Sequence, residues 1–310
     1  MMKVLVTGGA GFIGSCLVAE LLRDNAEVLV FDNFTTGRRE FLPREDARLI
    51  VAEGDIVDYD LLLEVMKDWA PNVVIHLAGI HYIPFCNAHR LETLRINGEG
   101  TQSVLEACRN TGVERVVAAS SAAVYGISDD AHGESQSPAP VDIYGISKWF
   151  DEILLRQFHQ ETGIACVIAR LFNVYGPHET NPHVIPDLLE QLTTTDVIRL
   201  GNLEVCRDFV FVKDVAHALM ALASAAGIEF EIVNVGTGTE HSVRDLVHVC
   251  AEIVQRDLRV QSVAARRRRI DRWHLLADCA HIREVVGWQP QYDLRHGLTE
   301  TIRTTVLVPA

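Results

Sequence analysis

The sequence predicts an α/β fold built on a doubly wound parallel sheet, with a smaller domain interleaved towards its C-terminal end. Three observations carry this prediction. Short runs rich in Val, Ile and Leu alternate with helical patterns along the first half of the 310 residues. These runs lack polar alternation, which is typical of strands buried on both faces. A glycine-rich turn also joins the first run directly to the first helical pattern.

The β-rich runs and the helical stretches between them can be placed one by one. The predicted strands are Lys3–Thr7, Glu27–Phe31, Arg48–Ala52, Val73–Ala78, Arg115–Ser120 and Ile164–Arg170. The predicted helices are Phe12–Arg23, Leu61–Lys67, Thr101–Asn110 and Tyr144–Glu161. This order is that of repeated βαβ units, whose strands lie side by side in one parallel sheet.

The regular alternation loosens after the sixth predicted strand. Asn173–Pro186 contains three prolines and a glycine, which predicts a loop. Further along, the predicted elements are a helix Ile185–Leu192, a strand Phe209–Val212, a helix Val215–Ala225 and a strand Glu231–Val235. The mixture of signals indicates a second domain interleaved with the first.

Composition limits the class of protein. Apolar residues make up 48% of the chain, which is enough for a large buried core. The formal net charge of −14 argues against a nucleic-acid partner, because such a partner requires a basic face. A phosphate-bearing small molecule remains compatible with this charge, since a few arginines in a pocket suffice to bind it.

Cysteine use and the lack of long apolar runs predict a cytoplasmic protein without a membrane partner. The seven cysteines are scattered, odd in number and form no CxxC pair, so we expect reduced thiols. No apolar run reaches the ~20 residues of a membrane span. The first residues, MMKVLVTGGAGFIG, run straight into glycines without a cleavage pattern, which predicts a strand rather than a signal peptide.

The glycine-rich turn is the first motif with a chemical meaning. Gly8, Gly11 and Gly14 follow the first predicted strand and open the first helix. Their GxxGxxG spacing suits a tight turn in which backbone N–H groups approach the pyrophosphate of a dinucleotide. The N-terminus of the helix adds partial positive charge. A structural turn without a ligand is the alternative at this point.

Acidic residues end the next two predicted strands. Asp32, followed by Asn33, can accept hydrogen bonds from the adenosine ribose hydroxyls and would repel a 2′-phosphate. This favours NAD over NADP, although Arg38 and Arg39 keep NADP open. Asp55 ends the third strand, where the adenine edge is expected, and a helix cap is its alternative role.

These features together predict a Rossmann-type NAD-binding domain over residues 1–172, with returning segments at about 207–236. Residues 173–206 and 237–310 are predicted to form the substrate-binding domain.

Tyr144 and Lys148 lie four residues apart in a predicted helix, which places both side chains on one face. A neighbouring ammonium favours ionisation of the phenol, so Tyr144 can remove a proton from a sugar hydroxyl. Ser121, at the end of the fifth strand, can hydrogen-bond the reacting oxygen, whereas Ser120 is expected to satisfy the backbone. A Tyr-x-x-x-Lys pattern alone is common by chance, so its weight depends on the surrounding motifs.

Taken together, the motifs resemble those of the extended short-chain dehydrogenase/reductases, especially nucleotide-sugar epimerases of the UDP-glucose 4-epimerase kind. The resemblance covers essentially the whole chain. The matching segments, in family order, are TGGAGFIG at 7–14, DN at 32–33, GDI at 54–56, HLAG at 76–79, NxxGT at 97–101, SSAAVYG at 120–126, YGISK at 144–148, LFNVYGP at 171–177 and RDFVFVKDVA at 207–216.

The resemblance implies NAD as cofactor and assigns roles by position. Ser121, Tyr144 and Lys148 correspond to the catalytic triad. The residues implied on or near the cofactor are Gly8, Gly11, Phe12, Ile13, Gly14, Asp32, Asn33, Asp55, Ile56, Leu77, Ala78, Gly79, Asn97, Tyr144 and Lys148. Contacts to the sugar diphosphate are implied for Asn173, Arg207 and Arg268.

The implied reaction is epimerisation of a nucleotide-diphosphate sugar at C4 through a transient 4-keto sugar. Related 4,6-dehydratases carry an Asp-Glu pair after the catalytic hydroxyl, where this chain has Ala122 and Ala123. Elimination of water is therefore not expected. An NAD(P)-dependent reductase or dehydrogenase is the main alternative, and a catalytically silent NAD-binding protein is a third.

The chain departs from the family pattern in two segments. After the fourth strand it reads HLAGIHYIPFC at 76–86, so His81 is predicted to border the sugar, with loop packing as the alternative. The family's Arg-Pro-Gly-Asp turn is replaced by Arg268-Arg269-Ile270-Asp271, inside a basic run that would otherwise be a solvated loop. The histidines show no metal-ligand spacing, and no metal site is predicted.

The resemblance also implies a homodimer. Members of the family usually pair through two helices from each subunit. In this chain those helices correspond to the stretches near Leu91–Asn110 and Tyr144–Glu161.

Overall fold

The computed structural model describes residues 2–266 and 272–305. Its strands are β1 Lys3–Thr7, β2 Glu27–Asp32, β3 Leu49–Glu53, β4 Val73–His76, β5 Arg115–Ser121, β6 Ala165–Leu171, β7 Asn173–Tyr175, β8 Val197–Leu200, β9 Cys206–Phe211, β10 Phe230–Val235, β11 Glu240–Ser242 and β12 Arg259–Ser262. Its α-helices are α1 Phe12–Arg23, α2 Tyr59–Trp69, α3 Ile83–Ala88, α4 Arg90–Leu94, α5 Gly100–Arg109, α6 Ile143–Thr162, α7 Val184–Leu192, α8 Val212–Ser224, α9 Val243–Val254, α10 Ala280–Val286 and α11 Leu294–Thr305.

Seven of these strands form one parallel sheet in the order β10-β6-β5-β4-β1-β2-β3. The strand order reverses between β1 and β4, so their carboxyl ends border a crevice, which is where ligands bind in open α/β sheets. All six predicted strands of the first half enter this sheet, and the predicted fold class is confirmed.

Apolar packing covers both faces of the sheet, which explains why its strands lack polar alternation. One cluster packs α1 and α8 against one face, and another packs α2, α5 and α6 against the opposite face. A third cluster joins α7, α9 and α11 to β8 and β9 in the C-terminal half. The described residues thus form a sheet covered on both faces and a further apolar cluster in the C-terminal half.

The second half contains short strands that the sequence analysis did not place. Asn173–Pro186 was expected to be a loop, and this was wrong at its start, because β7 pairs in parallel with β9. β11 pairs antiparallel with the other edge of β9, and β12 pairs in parallel with β8. The strands that were not predicted, β7, β8, β11 and β12, have three or four residues each, so their register depends on distant partners rather than on local pattern.

All seven cysteines are free thiols. Within residues 2–266 and 272–305, no helix combines the length and apolar character needed to cross a membrane.

A buried ion pair fixes helix α6 against the sheet. Arg170 of β6 donates from Nε and Nη2 to the two carboxylate oxygens of Glu152 on α6, at 2.9 and 2.7 Å. Glu152 also accepts a hydrogen bond from the Ser120 hydroxyl at 2.5 Å. The Arg170 guanidinium reaches the Tyr125 hydroxyl at 3.0 Å, and Tyr125 donates to Asn234 of β10 at 2.7 Å. One network thus joins β5, β6, β10 and α6.

Replacing Arg170 by Met is expected to lower the free energy of unfolding by about 3–5 kcal/mol, because Glu152 would be left buried and unpaired. Urea denaturation followed by circular dichroism measures the loss. The matched control is Arg109→Met, which removes a half-exposed ion pair to Glu161 on the same helix. The control should cost less than about 1 kcal/mol. Equal losses in the two variants would contradict the prediction.

Candidate active site

In the glycine turn between β1 and α1, backbone segments lie so close together that a side chain would not fit between them. Gly8 has a φ of +70°, and a Cβ there would lie 2.8 Å from the backbone nitrogen of Ala78. A Cβ on Gly14 would lie 2.7 Å from Cα of Gly9. The N–H of Gly11 donates to the carbonyl of Gly8 at 3.1 Å, which closes the turn. The glycines leave a backbone surface that a ligand can approach closely.

The N-terminus of α1 is open to an anion. Its N-cap, Gly11, contributes no side-chain hydrogen bond, and the first turn contains no acidic residue. The first N–H groups of a helix have no intrahelical acceptors, so they and the helix dipole favour a negatively charged ligand. Phe12 and Ile13 lie in this first turn and pack against the C-terminal cluster. The predicted phosphate position therefore has both the space and the electrostatics for a phosphate.

Asp32 ties the end of β2 to the glycine turn. Its carboxylate accepts hydrogen bonds from the N–H of Ala10 at 2.9 Å and the N–H of Phe34 at 2.8 Å. Each oxygen keeps a lone pair for a further donor, so a ribose hydroxyl can also be bound. Nearby, Asn33 donates to Asp55 at 2.9 Å, which joins the loops that follow β2 and β3. The buried Ile56 lies beside this pair.

Asn97 locks the loop after β4 to helix α6. Its side-chain oxygen accepts from the N–H of Ile80 at 2.8 Å, and its NH₂ donates to the Ile80 carbonyl at 3.0 Å and to Ser147 at 2.8 Å. Gly79, with a φ of +157°, lies beside this amide. The loop that contains Leu77, Ala78 and Gly79 therefore has a fixed path between β1 and α6. Asn97 lies in a π-turn, Arg95–Glu99, which no sequence signal indicated.

Ser121, Tyr144 and Lys148 are brought together by the start of α6. Asp142 caps this helix by accepting from the N–H of Gly145 at 2.8 Å. A Cβ on Gly145 would lie 3.0 Å from the carbonyl carbon of Ala123, so the helix start touches the turn that follows Ser121. Tyr144 lies in the first turn and Lys148 one turn later, on the same face.

The charges at this site oppose one another. Burial raises the pKa of Tyr144 above its ordinary value and the charges of Cys86 and Asp142 add to this, although the Lys148 ammonium and a hydrogen bond with Ser121 act to lower it. Burial lowers the pKa of Lys148, but Asp151 and Tyr144 outweigh it, so the pKa lies above its ordinary value. Lys148 is therefore a protonated cation at neutral pH, next to a phenol. This arrangement can move a proton between Tyr144 and a bound alcohol.

A neutral histidine lies beneath the site. His76 Nδ1 is 2.7 Å from the Thr7 hydroxyl, and its Nε2 is 3.0 Å from the Thr101 hydroxyl. Burial, together with the Lys148 charge, lowers the pKa of His76 to about 3. The imidazole therefore links β1, β4 and α5 without adding charge.

Polar residues from two loops face the opposite side of the crevice. His81 Nε2 accepts from the Asn181 amide at 3.0 Å, and the His81 and His183 rings lie 5.8 Å apart. Desolvation of the imidazole and the charges of His183 and Lys148 lower the pKa of His81 to about 4, although the residue as a whole is exposed. Asn181 and His183 fall in a segment that was expected to be a loop, and no sequence signal identified them.

The predicted diphosphate residues lie on adjacent strands. The side-chain oxygen of Asn173 on β7 is buried and has no hydrogen-bond partner among the described residues, so it can accept from a ligand. Arg207 on β9 donates to the carbonyls of Cys206 at 2.7 Å and Arg272 at 2.8 Å. These bonds fix the start of its strand. Arg268, the second predicted arginine, lies outside the described residues.

Arg272 is a site residue that the sequence analysis missed. Its guanidinium donates to the carbonyls of Ala122 at 3.3 Å and Ala123 at 3.1 Å, directly after Ser121. It therefore connects the C-terminal half to the turn that positions the serine. The sequence analysis assigned a diphosphate contact to Arg268, in the basic run before Arg272, and gave no role to Arg272.

Cys206, Glu240 and His274 bring three potential metal ligands within 4.8 Å of one another. His274 Nδ1 lies 2.7 Å from a Glu240 oxygen, so this pair is already hydrogen-bonded. Burial and Glu240 raise the pKa of the Cys206 thiol, which disfavours the thiolate that a metal requires. We assign no metal to this group.

Residues 4–236 match the NAD dependent epimerase/dehydratase family. The chain is similar to UDP-glucose 4-epimerase of Azospirillum brasilense, with 32% identity over 96% of this chain and 90% of that protein. Its structure is similar to UDP-N-acetylglucosamine 4-epimerase of Methanobrevibacter ruminantium in complex with UDP-N-acetylmuramic acid, with 30% identity, a TM-score of 0.91 and coverage of 99% and 98%. It is also similar to Thermus thermophilus UDP-glucose 4-epimerase in complex with NAD, with 31% identity, a TM-score of 0.89 and coverage of 98% of each chain.

The stability of the protein should fall with pH in a way that depends on His76. The folded-state pKa near 3 lies below the ordinary 6.5, so only the unfolded chain takes up this proton between those values. As pH falls below about 6.5, this residue alone should reduce the free energy of unfolding by about 1.4 kcal/mol per pH unit. Urea denaturation at pH 7 and pH 5 measures the slope.

His76→Gln should show a slope that is shallower by this amount, and exposed His296→Gln should match the unsubstituted protein. An unchanged slope in the His76 variant would show that this imidazole is protonated in the folded state.

Proposed function

The chain belongs to the NAD dependent epimerase/dehydratase family, and from this premise we propose that it inverts C4 of a nucleotide-diphosphate sugar. Tyr144, Ser121 and Lys148 converge where the crevice of the sheet begins, and this observation carries the proposal. UDP-sugars are the first substrates to test, because relatives over nearly the whole chain bear the name UDP-glucose 4-epimerase.

The cofactor is NAD, and the residues of the first half fit it. The glycine turn and the start of α1 would hold the pyrophosphate, since neither a Cβ nor an acidic side chain occupies that surface. Asp32 would accept from the adenosine ribose and disfavour a 2′-phosphate. Asn33, Asp55 and Ile56 would border the adenine. NAD supplies the reversible hydride chemistry by which the sugar passes through a transient 4-keto form.

Proton transfer is the task of the protein's own side chains. Tyr144 would accept the proton of the C4 hydroxyl and later return it to the carbonyl oxygen of the 4-keto sugar. Ser121 would hydrogen-bond the same oxygen and keep it within reach of the phenol. Lys148 would stabilise the phenolate through its charge. Because the proton returns to the atom it left, the triad suffices for a reaction with no net change of protonation.

Two neighbouring alanines favour epimerisation over elimination of water. Ala122 and Ala123 are 2% and 5% exposed and directly follow Ser121. Their side chains cannot protonate a leaving hydroxyl, so the turn offers no acid for a 4,6-dehydratase. A reductase or dehydrogenase remains the second candidate, since the same triad would serve it. Net oxidation or reduction of added cofactor distinguishes the two.

We assign the substrate to the side of the crevice opposite α1. Asn173 and Arg207 lie on adjacent strands and would contact the sugar diphosphate, with Arg268 as a further contact. The buried, unpartnered oxygen of Asn173 would accept from a sugar hydroxyl or an N–H of the ligand. His81 would contact the sugar itself. A firm hold on the diphosphate allows the sugar to turn over between oxidation and reduction.

We assign residues 1–172 and about 207–236 to the NAD-binding domain, and residues 173–206 and 237–310 to the substrate-binding domain. We also propose a cytoplasmic homodimer paired through the stretch Leu91–Asn110, which includes α5 and most of α4, and through α6. The support for pairing is the exposure of large apolar side chains on α4 and α6, namely Leu91, Leu94, Ile146, Trp149, Phe150 and Ile153.

Incubation with UDP-glucose and NAD should yield the C4 epimer, detected by proton NMR, without a net change in absorbance of reduced nicotinamide. Tyr144→Phe should lower kcat by about 10²–10⁴-fold, because the general base is lost. Tyr59→Phe, on the distant helix α2, should leave the rate unchanged. Full activity of the Tyr144 variant, or release of water from every nucleotide sugar offered, would refute the proposal.

Phe150→Glu should convert the proposed dimer to a monomer, because it places a charge in an apolar interface. Sedimentation velocity measures the molecular mass in solution. The control is Ile127→Glu, at a more exposed apolar position outside α4 and α6. A monomeric unsubstituted protein would contradict the pairing.

A further inference from the structure

A buried carboxylate lies against the lysine of the triad. Asp151 follows Lys148 by three residues on α6, and its Oδ2 accepts a hydrogen bond from Lys148 Nζ at 3.0 Å. The two side chains are 5% and 9% exposed, respectively. Water screens such a pair only weakly, so each charge acts strongly on its neighbours. The proposed proton transfer involves Tyr144, Ser121 and Lys148, but not Asp151.

The second oxygen of Asp151 is buried and makes no hydrogen bond with any described residue. Burial raises the pKa of Asp151 above its ordinary value, although Lys148 and the Thr101 hydroxyl of α5 act to lower it. An ionised carboxylate with a free buried oxygen is costly, and Lys148 supplies the main compensation. A buried carboxylate of this kind contributes little to the stability of the helix. Its position therefore indicates a role connected with Lys148.

The other groups around Lys148 are committed elsewhere or carry no charge. On α6, Glu152 is paired with Arg170, and Tyr144 is the phenol on which Lys148 acts. From β4, the buried His76 has a pKa of about 3 and is neutral, and in the loop after β4 the pKa of the exposed His81 is lowered to about 4, so it is neutral as well. From β5, Ser121 contributes a hydroxyl. Asp151 is therefore the anion that directly balances Lys148 within the described site.

We propose that Asp151 is a positioning residue, which holds the Lys148 ammonium in place and sets the pH range in which Tyr144 serves as the base. This proposal rests on the proposed function, since it concerns the same proton transfer. The negative charge of Asp151 partly cancels the positive charge of Lys148. The ammonium therefore stabilises the Tyr144 phenolate less than an unpaired ammonium would. The phenol consequently keeps its proton to a higher pH than it would beside an unpaired lysine.

Substituting Asp151 by Asn tests this directly, because the amide keeps the shape and removes the charge. The ionisation of Tyr144 is read from tyrosinate absorbance during a pH titration, as the difference between each protein and its Tyr144→Phe counterpart. We expect the Tyr144 midpoint to move to lower pH by about one unit in the Asn variant. Asp151→Glu should restore the original midpoint to within a few tenths of a unit.

Two further arms separate positioning from structural support. Glu161→Gln removes an exposed anion from the same helix and should leave the Tyr144 midpoint unchanged. Asp151→Ser serves as a second neutral variant, and circular dichroism reports folding in each case. A folded neutral variant with an unshifted midpoint would overturn the proposal. So would failure of both neutral variants to fold while the Glu variant folds, since Asp151 would then be structural.

The absorbance titration needs no substrate, so its outcome is independent of the proposed epimerase activity. Where activity is measurable, the acidic limb of the pH profile of kcat should move by the same amount as the Tyr144 midpoint. If no nucleotide sugar is converted but the midpoint moves as expected, the proposed function fails while the role of Asp151 in tuning the phenol stands. If the sugar is converted and the midpoint does not move, the reverse holds.

Discussion

The contact between Arg170 and Glu152 decides where α6 lies, and the two halves of the proposed catalytic site are placed by α6 and β5. Glu152 also binds the hydroxyl of Ser120, whose neighbour is Ser121. A single buried carboxylate therefore fixes the distance between the serine on the sheet and the tyrosine on the helix. Burying an ion pair brings little net stability, but it permits one arrangement because every alternative leaves a charge unpaired.

A second, uncharged hydrogen-bond network links β1, β4 and α5. His76 connects Thr7 and Thr101, and it stays neutral beside the Lys148 charge. The crevice is thus bordered by an ionic network near β6 and a neutral one near β1. The neutral network avoids a second cation near Lys148, where it would compete with Lys148 for the phenolate. The difference in charge, rather than in packing, distinguishes the two.

Much of the sheet could be predicted because its strands are apolar on both faces and alternate with helices. The proposed catalytic residues could be placed because Tyr144 and Lys148 share a helix, so their relation is local. The rest depends on distant partners: β7 is defined by β9, Asn97 by Ile80 and Ser147, and Arg272 by two carbonyls. Asp151 was within reach of sequence reasoning, since it lies three residues after Lys148, but only its burial gives the pairing meaning.

The last strand of the main sheet has a consequence for how the chain is made. β10 pairs with six of the seven residues of β6, and Asn234 within it completes the Tyr125 network, yet β10 is synthesised about sixty residues later. Until it emerges from the ribosome, the apolar edge of β6 is an open template for foreign strands. A fragment ending before β10 would consequently be prone to aggregation. A truncated protein should therefore not end between β6 and β10.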